Sequence, residues 1–333
     1  MTAGKPWPIE ERTLGRTGLT VSRIGLGLAA VGRPAYINLG RADDLGADRP
    51  IETLRARAHE LLDAAVAEGI RYVDVARSYG LAEAFVGSWL AGLPGGTPIP
   101  TIGSKWGYTY VGDWRMNADV HEVKDHSLGA FRRQLAESRA ILGDRLRLYQ
   151  VHSATLESGI LDDRDALRAL AELTESGTAV GMSVSGPGQA EVIRRALDVR
   201  VDGRQPFASV QATWNLLERS VEPALAEAHA AGWGVIVKEV LANGRLARPE
   251  AVPPPVAAIA RERGVGPDAV AIAAALARPW ADVVLSGAAT VDQLRANLAG
   301  LEVELARGEH DQFGELAERP DAYWRARGRL SWD

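Results

Sequence analysis

The sequence contains no cysteine, and this absence excludes a disulfide framework, a thiolate metal site and a cysteine nucleophile. It also lacks any segment that approaches the roughly 20 consecutive apolar residues of a membrane span. The N-terminal stretch 1–19 has no apolar core of the kind found in secretory signals. We therefore expect a cytoplasmic protein.

Basic residues do not exceed acidic ones, since 38 Lys and Arg against 43 Asp and Glu give a net charge of −5 at pH 7. A general nucleic-acid binder needs clustered cations to hold phosphates, so this class of protein is disfavoured. Hydrophobic residues make up 46% of the chain and charged residues 24%, which is typical of globular proteins. The expected partner is a small molecule, with no nucleic acid and no membrane.

One pattern repeats along the chain: a short β-rich run followed by a longer amphipathic segment. The eight strand-like runs are residues 22–28, 71–76, 100–106, 146–153, 179–185, 208–215, 234–240 and 282–288. The segments after them are residues 51–68, 82–92, 127–143, 163–177, 188–199, 219–232, 255–277, with a break near Gly264 to Pro267, and 291–305. Eight alternations predict an α/β fold with a parallel sheet closed as a (β/α)8 TIM barrel, in one domain over residues 1–333. An open doubly wound sheet is the alternative.

Four stretches depart from the simplest barrel. Residues 12–21 place Thr-Gly between short β-prone runs and predict a hairpin that caps the barrel floor. Residues 30–50 and 107–126 are long loops, the second expected to be an active-site loop, because long loops in compact folds are usually functional or mobile. The tail 307–333 contains Tyr323, Trp324 and Trp332, which is too aromatic for a disordered end.

Active sites of such barrels lie at the C-terminal ends of the strands. In RYVDVARSYG, residues 71–80, Asp74 interrupts a run typical of a strand buried on both faces, so its carboxylate needs a cation, donors or a metal. Lys105 ends the next run and supplies the cation, while His152 ends the run after that. Taken alone, His152 also fits a hydrogen-bonded structural histidine, and Lys105 also fits a solvated lysine.

Proton donation by Tyr79 is the chemistry that these side chains suit. An unperturbed tyrosine has a pKa of about 10, and an adjacent ammonium favours its ionised form, so Lys105 is expected to tune Tyr79. His152 is expected to donate a hydrogen bond that orients a substrate carbonyl. None of these groups supplies a hydride, which must come from a cofactor.

Several stretches in this order resemble the aldo-keto reductase family. They are TGLTVSRIGLG at 17–27, GIRYVDVARSYG at 69–80, GSKWG at 103–107, LRLYQVH at 146–152, GMS at 181–183 and VQATWN at 210–215. The family consists of (β/α)8-barrel oxidoreductases with a nicotinamide cofactor and an Asp, Tyr, Lys, His tetrad. The resemblance implies that Tyr79 is the general acid or base, that Asp74 and Lys105 tune it, and that His152 orients the carbonyl.

The resemblance also implies where the cofactor and substrate bind. Ser183 and Gln211 match positions that hold the nicotinamide carboxamide. Gly287, Gln293 and Asn297, in SGAATVDQLRANL at 286–298, match the segment for the adenosine phosphate end, and a helix start is a natural anion site. The resemblance implies NADPH as the preferred cofactor, with NADH as the alternative. The predicted substrate pocket is formed by Trp106, Tyr108 and Trp214, which would suit an aromatic carbonyl or a sugar ring.

The chain differs from the family pattern at three places. Val184 stands where Asn is usual, and Lys238 stands where an aromatic ring often stacks on the nicotinamide. Gly287 begins a Gly-Ala-Ala run where many members have cations for a 2′-phosphate, with Arg295 and Arg245 as nearby candidates for that role. These differences keep open a second hypothesis, a non-catalytic nucleotide-binding or regulatory subunit of the same fold.

A barrel glycoside hydrolase is the third hypothesis, and it needs two facing carboxylates. Only Asp74 and Glu239 offer themselves at the strand ends. We predict no metal site, because His121 and His126 in the charged loop lack an obvious third ligand. The oligomeric state is not predicted.

Overall fold

The structure is a computed structural model that describes residues 7–248 and 250–332. Its strands are β1 (Glu11–Thr13), β2 (Thr20–Ser22), β3 (Ile24–Gly27), β4 (Tyr72–Asp74), β5 (Thr101–Trp106), β6 (Tyr108–Tyr110), β7 (Glu122–Lys124), β8 (Leu146–Ala154), β9 (Ala179–Val184), β10 (Ser209–Thr213), β11 (Gly234–Lys238) and β12 (Val283–Ser286). Eight of them, β3, β4, β5, β8, β9, β10, β11 and β12, form a closed barrel of parallel pairs in which β12 returns to β3. The predicted (β/α)8 barrel is confirmed, and the open sheet is excluded.

The helices follow the strands as the alternation predicts. They are α1 (Arg41–Leu45), α2 (Ile51–Ala67), α3 (Ala82–Gly92), α4 (Leu128–Leu142), α5 (Arg164–Glu175), α6 (Gln189–Asp198), α7 (Glu222–Ala230), α8 (Pro254–Arg263), α9 (Pro267–Leu276), α10 (Val291–Leu298), α11 (Arg307–Gly314) and α12 (Pro320–Arg327). The break predicted inside 255–277 separates α8 from α9. Gly264 ends α8 in the left-handed conformation, and Pro267 begins α9, where its missing N–H costs nothing.

The last predicted helix, 291–305, is shorter than expected. Helix α10 ends at Leu298 and passes into a 3-10 turn at Ala299–Leu301. This turn packs so closely on α9 that a Cβ added to Gly300 would lie 2.8 Å from the carbonyl oxygen of Ala269. The close packing of the turn on α9 accompanies the early end of the helix.

The N-terminal hairpin closes the floor of the barrel. Strand β1 pairs with β2 antiparallel, from Glu11 opposite Ser22 to Thr13 opposite Thr20. Between them Leu14 is fully buried against the start of β11, where a Cβ on Gly234 would lie 2.4 Å from the Leu14 side chain. This contact anchors a small apolar cluster, separate from the main core, that consists of Leu14, Leu19, Val21, Tyr72, Leu148, Ile236, Val283 and Leu285.

The two long loops are ordered and contact each other above the barrel. In 107–126 the chain forms an antiparallel hairpin of β6 and β7. Two arginines bind backbone carbonyls within the loop 30–50. The buried Arg41 donates from Nε to the carbonyl of Ala30 at 2.8 Å, and Arg49 donates from Nη1 to the carbonyl of Pro34 at 2.6 Å. Trp114 Nε1 then donates to the carbonyl of Arg49 at 2.9 Å, which joins the second loop to the first.

The tail returns across the open end of the barrel. Asn215 Nδ2 donates to Tyr323 Oη at 2.9 Å, which fixes α12 beside the end of β10. Farther on, the ring of Trp332 stacks on His121 with centroids 4.3 Å apart. Of the helices in the described ranges, none is both long and apolar enough to cross a lipid bilayer.

Candidate active site

A cavity of about 660 Å³ opens at the C-terminal ends of the barrel strands. Strand ends supply its base, the two long loops supply one wall, and the tail supplies part of its rim. Its lining includes Asp74, Tyr79, Tyr108, His152, Gln211, Lys238, Gly287, Gln293 and Asn297. Nine residues singled out from the sequence therefore share one cavity.

Asp74 and Lys105 form a buried ion pair at the base of this cavity. Lys105 Nζ donates to Asp74 Oδ1, to the carbonyl of Val75 at 3.0 Å and to Tyr79 Oη at 3.2 Å. The other carboxylate oxygen of Asp74 accepts from Gln211 Nε2 at 2.8 Å and from Tyr72 Oη at 3.2 Å.. The carboxylate that interrupts its strand thus has a cation on one oxygen and two neutral donors on the other.

The phenol of Tyr79 is held in its protonated form. Burial and the nearby Asp74 carboxylate raise its pKa well above the ordinary value, while the Arg33 guanidinium, 5.5 Å from the ring centroid, acts in the opposite direction. Lys105 was expected to favour the ionised form of Tyr79, but burial dominates, because a phenolate loses more hydration than a phenol.

His152 is a neutral imidazole facing the same space. Burial, followed by the charges of Lys105 and Lys238, lowers its pKa well below the ordinary value. Its Nδ1 lies 3.2 Å from Ser78 Oγ, and its ring is 5.5 Å from the ring of Tyr79 between centroids. A neutral imidazole carries one N–H, so it can orient a carbonyl without competing as a strong acid.

The two residues matched to the carboxamide are differently placed. Gln211 lines the cavity, although its amide nitrogen is engaged by Asp74. Ser183 is fully buried, and its Oγ accepts from the backbone N–H of Ser153 at 2.8 Å; Ser153, and not Ser183, lines the cavity.

The three residues matched to the adenosine end also line the cavity. We call the part of the cavity lined by Gly287, Gln293 and Asn297 the far arm. Gln293 Oε1 accepts from the backbone N–H of Ala289 at 2.9 Å, and Asn297 Nδ2 donates to Ser286 Oγ at 2.8 Å. Gly287 has open space where a Cβ would be, so a ligand can approach its backbone.

Of the three predicted pocket aromatics, one lines the cavity. Tyr108 does so, with its ring centroid 5.1 Å from that of His152. Trp106 packs instead on Phe131, 5.0 Å between centroids, because side chains alternate along a strand and Lys105 already points into the barrel. Trp214 is fully buried and donates from Nε1 to Glu222 at 3.2 Å, outside the cavity.

Several residues of the cavity rim were not identified from the sequence. Arg33 is buried and donates from Nη1 to Glu122 Oε1 at 2.6 Å and to the carbonyl of Ser78 at 2.9 Å. The ring of Trp332 packs on this guanidinium, with the Cζ of Arg33 4.7 Å from the centroid of the Trp332 ring. In the sequence, only the aromatic content of the tail indicated that it packs on the protein. That content does not indicate which part of the barrel the tail contacts.

Arg327 and Glu239 form the other contact between the tail and the barrel. Arg327 Nε donates to Glu239 Oε2 at 2.8 Å, and a second hydrogen bond joins its Nη2 to Oε1. Burial by itself would raise the pKa of Glu239, but Arg327 and Lys238 outweigh it and lower that pKa to about 2. The carboxylate is therefore an anion at neutral pH.

The two histidines of the charged loop contact other parts of the protein. His126 Nε2 lies 2.8 Å from the carbonyl of His152, and burial lowers the pKa of His126 to about 4. His121 stacks on Trp332. Over the described residues we find no group of three or more His, Asp or Glu side chains placed to hold a metal ion.

Carboxylates predominate around the far arm. Arg248 lines it, but its guanidinium is paired with Asp43 at 3.1 Å and with Glu250 at 2.7 Å. Arg295 and Arg245 point elsewhere, to Glu68 and Glu318 respectively. The acidic residues of the arm are Asp43, Asp44, Glu250 and Asp268.

The comparisons with known proteins agree with this geometry. A model of the Aldo/keto reductase family matches residues 24–318. The chain belongs to this family. Among solved structures, the holo form of the aldo-keto reductase AKR11C1 from Bacillus halodurans is similar, with a TM-score of 0.68 and 25% identity over 93% of this chain and 97% of that one.

Curated relatives show the same likeness. Protein tas of Escherichia coli is 28% identical over 87% of this chain and 92% of its own length. Pyridoxal 4-dehydrogenase of Microbacterium luteolum is 28% identical over 72% of this chain and 73% of its own length. Family and relatives together make this chain an oxidoreductase.

Proposed function

We propose that this aldo-keto reductase transfers hydride between a nicotinamide dinucleotide and a small carbonyl or alcohol, with Tyr79 as general acid in reduction and general base in oxidation. The observation that carries this proposal is the protonated phenol of Tyr79 beside the neutral imidazole of His152 in one cavity. Such a pair can orient a carbonyl oxygen and protonate it as charge develops there.

Each side chain has a separate task. Tyr79 Oη accepts a hydrogen bond from Lys105, so its own proton is free for the substrate oxygen. After that proton leaves, the ammonium of Lys105 and the guanidinium of Arg33 lie where they stabilise the phenolate. Asp74 holds Lys105 in place and compensates its charge when the phenol is neutral.

The cavity fits a dinucleotide. A nicotinamide cofactor, when bound, supplies or accepts the hydride that none of these side chains can provide. Gln211 and Ser153 line the inner end, while Gly287, Gln293 and Asn297 line the far arm, so the wall offers polar groups along its length. A volume of about 660 Å³ lies within the usual range for such sites.

The charges of the far arm favour NADH over NADPH, although the resemblance by itself implied NADPH first. A 2′-phosphate needs free cations, whereas a carboxylate can accept a hydrogen bond from the ribose 2′-hydroxyl of NADH. Here Arg248 is already paired with Asp43 and Glu250, and Asp268 adds a further acid. The unphosphorylated cofactor therefore avoids repulsion that NADPH would meet.

Glycoside hydrolysis is not supported by the same site. It would need a carboxyl group that donates a proton, with a second carboxylate facing it. Asp74 is paired with Lys105, and the pKa of Glu239 is lowered to about 2 by Arg327 and Lys238 against the effect of burial. Neither group can serve as the acid.

Substitution of Tyr79→Phe tests the assignment of the proton donor. We expect turnover with a panel of aldehydes and sugars to fall by about 100-fold or more, because positioned acid catalysis contributes at least that much, while dinucleotide affinity stays within about twofold. Tyr110→Phe is the matched control, since Tyr110 lies in the same loop as Tyr108 but does not line the cavity. Full activity in Tyr79→Phe would overturn the assignment.

Fluorescence titration tests the cofactor. Trp332 lies on the cavity rim, so quenching of tryptophan emission should report binding, and Trp332→Phe identifies its share of the signal. We expect NADH to bind about tenfold tighter than NADPH, a difference of about 1.4 kcal/mol. Asp43→Asn, which releases Arg248 from one partner, should strengthen NADPH binding selectively. Binding of neither cofactor would favour a non-catalytic role for the fold.

A further inference from the structure

Lysine is rare in this chain, and one of the few lysines, Lys238, faces the active-site cavity. The sequence has only 4 lysines, so 34 of its 38 basic residues are arginines. Lys238 ends β11 and lines the cavity together with Tyr79 and His152. Arginine stays charged at any ordinary pH, whereas a lysine amine can lose its proton and act as a nucleophile. Lys238 is therefore one of the few side-chain amines in the chain that could act in this way.

The two lysines of the site, the buried Lys105 and the partly buried Lys238, have different partners. Lys105 donates to three acceptors, one of them the Asp74 carboxylate, which suits an ammonium group. Lys238 Nζ donates to two neutral hydroxyls, Ser185 Oγ at 3.0 Å and Thr213 Oγ1 at 3.0 Å. None of the ion pairs within residues 7–248 and 250–332 includes Lys238. Its hydrogen bonds are therefore met equally well by a neutral amine.

A neutral amine at this position keeps a reactive lone pair. Two of its N–H bonds serve Ser185 and Thr213, and the Thr213 hydroxyl in turn donates to Glu239 Oε2 at 3.3 Å, which leaves its own lone pairs for Lys238. Both N–H groups of –NH₂ are then occupied, and the nitrogen lone pair has no intramolecular partner. A desolvated lysine near other cations is the kind of amine that attacks carbonyl groups.

The electrostatic setting supports the neutral form. Burial lowers the pKa of Lys238 to about 8, and the charges of Arg327 on α12 and Lys105 on β5 act in the same direction. Glu239 beside it and Asp74 on β4 oppose this shift. At pH 7 about a tenth of Lys238 is then neutral, against roughly one part in 2,500 of an ordinary lysine.

We propose that Lys238 is a reversible covalent binding site for small aldehydes, which it holds as an imine at Nζ. The neutral nitrogen forms a bond to the carbonyl carbon, and the electron pair of the C=O π bond moves to the oxygen, which takes up the proton that the nitrogen releases. The carbinolamine then loses water as C=N forms. No oxidant or reductant is consumed, so the step needs no dinucleotide and stands apart from hydride transfer.

Trapping with borohydride tests this site in the intact protein without any cofactor. The protein is equilibrated with glycolaldehyde at pH 7, treated with a short pulse of sodium borohydride, and mapped by peptide mass spectrometry. We expect one hydroxyethyl group on Lys238, at severalfold higher occupancy than on the exposed Lys124, because the Lys238 amine is held by two neutral hydroxyls, although burial lowers the pKa of Lys124 as well. Occupancy at Lys238 should rise between pH 6 and pH 8 and then level off.

Two variants complete the test. Lys238→Arg keeps the positive charge but removes the nucleophile, so the adduct at this position should vanish while Lys124 labels as before. Ser185→Ala removes one hydroxyl partner and should reduce trapping at Lys238 without abolishing it. Equal labelling of Lys238 and Lys124 in a protein shown to be folded by circular dichroism would overturn the proposal. Failure of every reduction assay would leave this result unaffected, since trapping requires no hydride transfer within the protein.

Discussion

Loss of the ion pair between Arg327 and Glu239 has a cost in folding stability that can be worked out directly from the structure. The pair joins α12 of the tail to the end of β11, and both side chains are largely buried, at 22% and 9% exposed. Replacement of Arg327 by Met keeps most of the apolar stem and removes the charge. Glu239 then faces the cavity rim with its bidentate partner gone, and Lys238 is the nearest remaining cation that favours its ionised form.

Two routes give a similar magnitude. The pKa of Glu239 falls from an ordinary value of 4.5 to about 2. At 1.36 kcal/mol per pKa unit, this shift corresponds to about 3 kcal/mol of folding stability. Loss of one partner from a buried ion pair typically costs about 3 to 5 kcal/mol. We therefore expect Arg327→Met to lower the free energy of unfolding at pH 7 by about 3 kcal/mol.

The same shift predicts a pH dependence. Because the folded-state pKa of Glu239 is depressed, its contribution is fully present above the unfolded value near 4.5 and is lost as pH falls toward about 2. Urea unfolding at pH 7, 4.5 and 2.5 measures this loss. Glu239→Gln should lack it, and the double variant Glu239→Gln with Arg327→Met should be more stable than Arg327→Met alone, since no buried charge is left unpaired.

Arg194→Met is the matched control. Arg194 also makes two hydrogen bonds to one carboxylate, that of Glu227, but both side chains are about half exposed, at 49% and 46%. Such exposed pairs contribute little to stability, because solvent screens both charges. A cost for Arg327→Met no larger than that for Arg194→Met would refute the reasoning, because Glu239 would then not depend on the tail for its charge.

Three further substitutions follow from the packing. Leu14→Ala should cost about 2 to 5 kcal/mol in urea unfolding, because Leu14 is fully buried on Gly234 in the barrel floor. Gly103→Ala should cost about 1 to 3 kcal/mol and also lower turnover, since the new Cβ would lie 2.4 Å from Tyr72 Oη and displace the donor to Asp74. Gly92→Ala, at the exposed end of α3 with no atom within 4 Å, should instead stabilise the protein by about 0.5 to 1 kcal/mol.

These outcomes are separable by the same urea experiments and a turnover assay. A cost below about 1 kcal/mol for Leu14→Ala would mean that the hairpin is not part of the cooperative fold. Normal turnover and stability in Gly103→Ala would show that Tyr72 can move without disturbing Asp74. Destabilisation by Gly92→Ala would contradict the open surroundings of that position.

The sequence alone was sufficient for the barrel and for the position of the main chemical groups. Alternation of apolar strands and amphipathic helices is a local property, and it predicted the eight strands, the break at Gly264 and the closed sheet. Asp74, Lys105 and His152 were found because parallel strands end at one rim, which brings residues far apart in sequence to the same place.

Other features depended on contacts that no local pattern encodes. Trp106 and Trp214 were expected in the pocket, but the direction of a side chain depends on the pleat of its strand and on what packs against it. Arg33 and Trp332 meet above Tyr79 only because the tail crosses the barrel mouth. The pKa of Tyr79 likewise reflects burial, which is a property of the assembled cavity, more than its neighbours in sequence.

What the sequence by itself determined, then, was the order of elements, the family and the types of reactive group, because these follow from periodicity and from residues at strand ends. The tertiary structure decided which groups face the cavity, which charges are already paired, and which amine is left without a carboxylate. Burial and pairing are set by distances between distant segments, such as Arg327 with Glu239 and Arg248 with Asp43, and so they emerge only when the chain is folded.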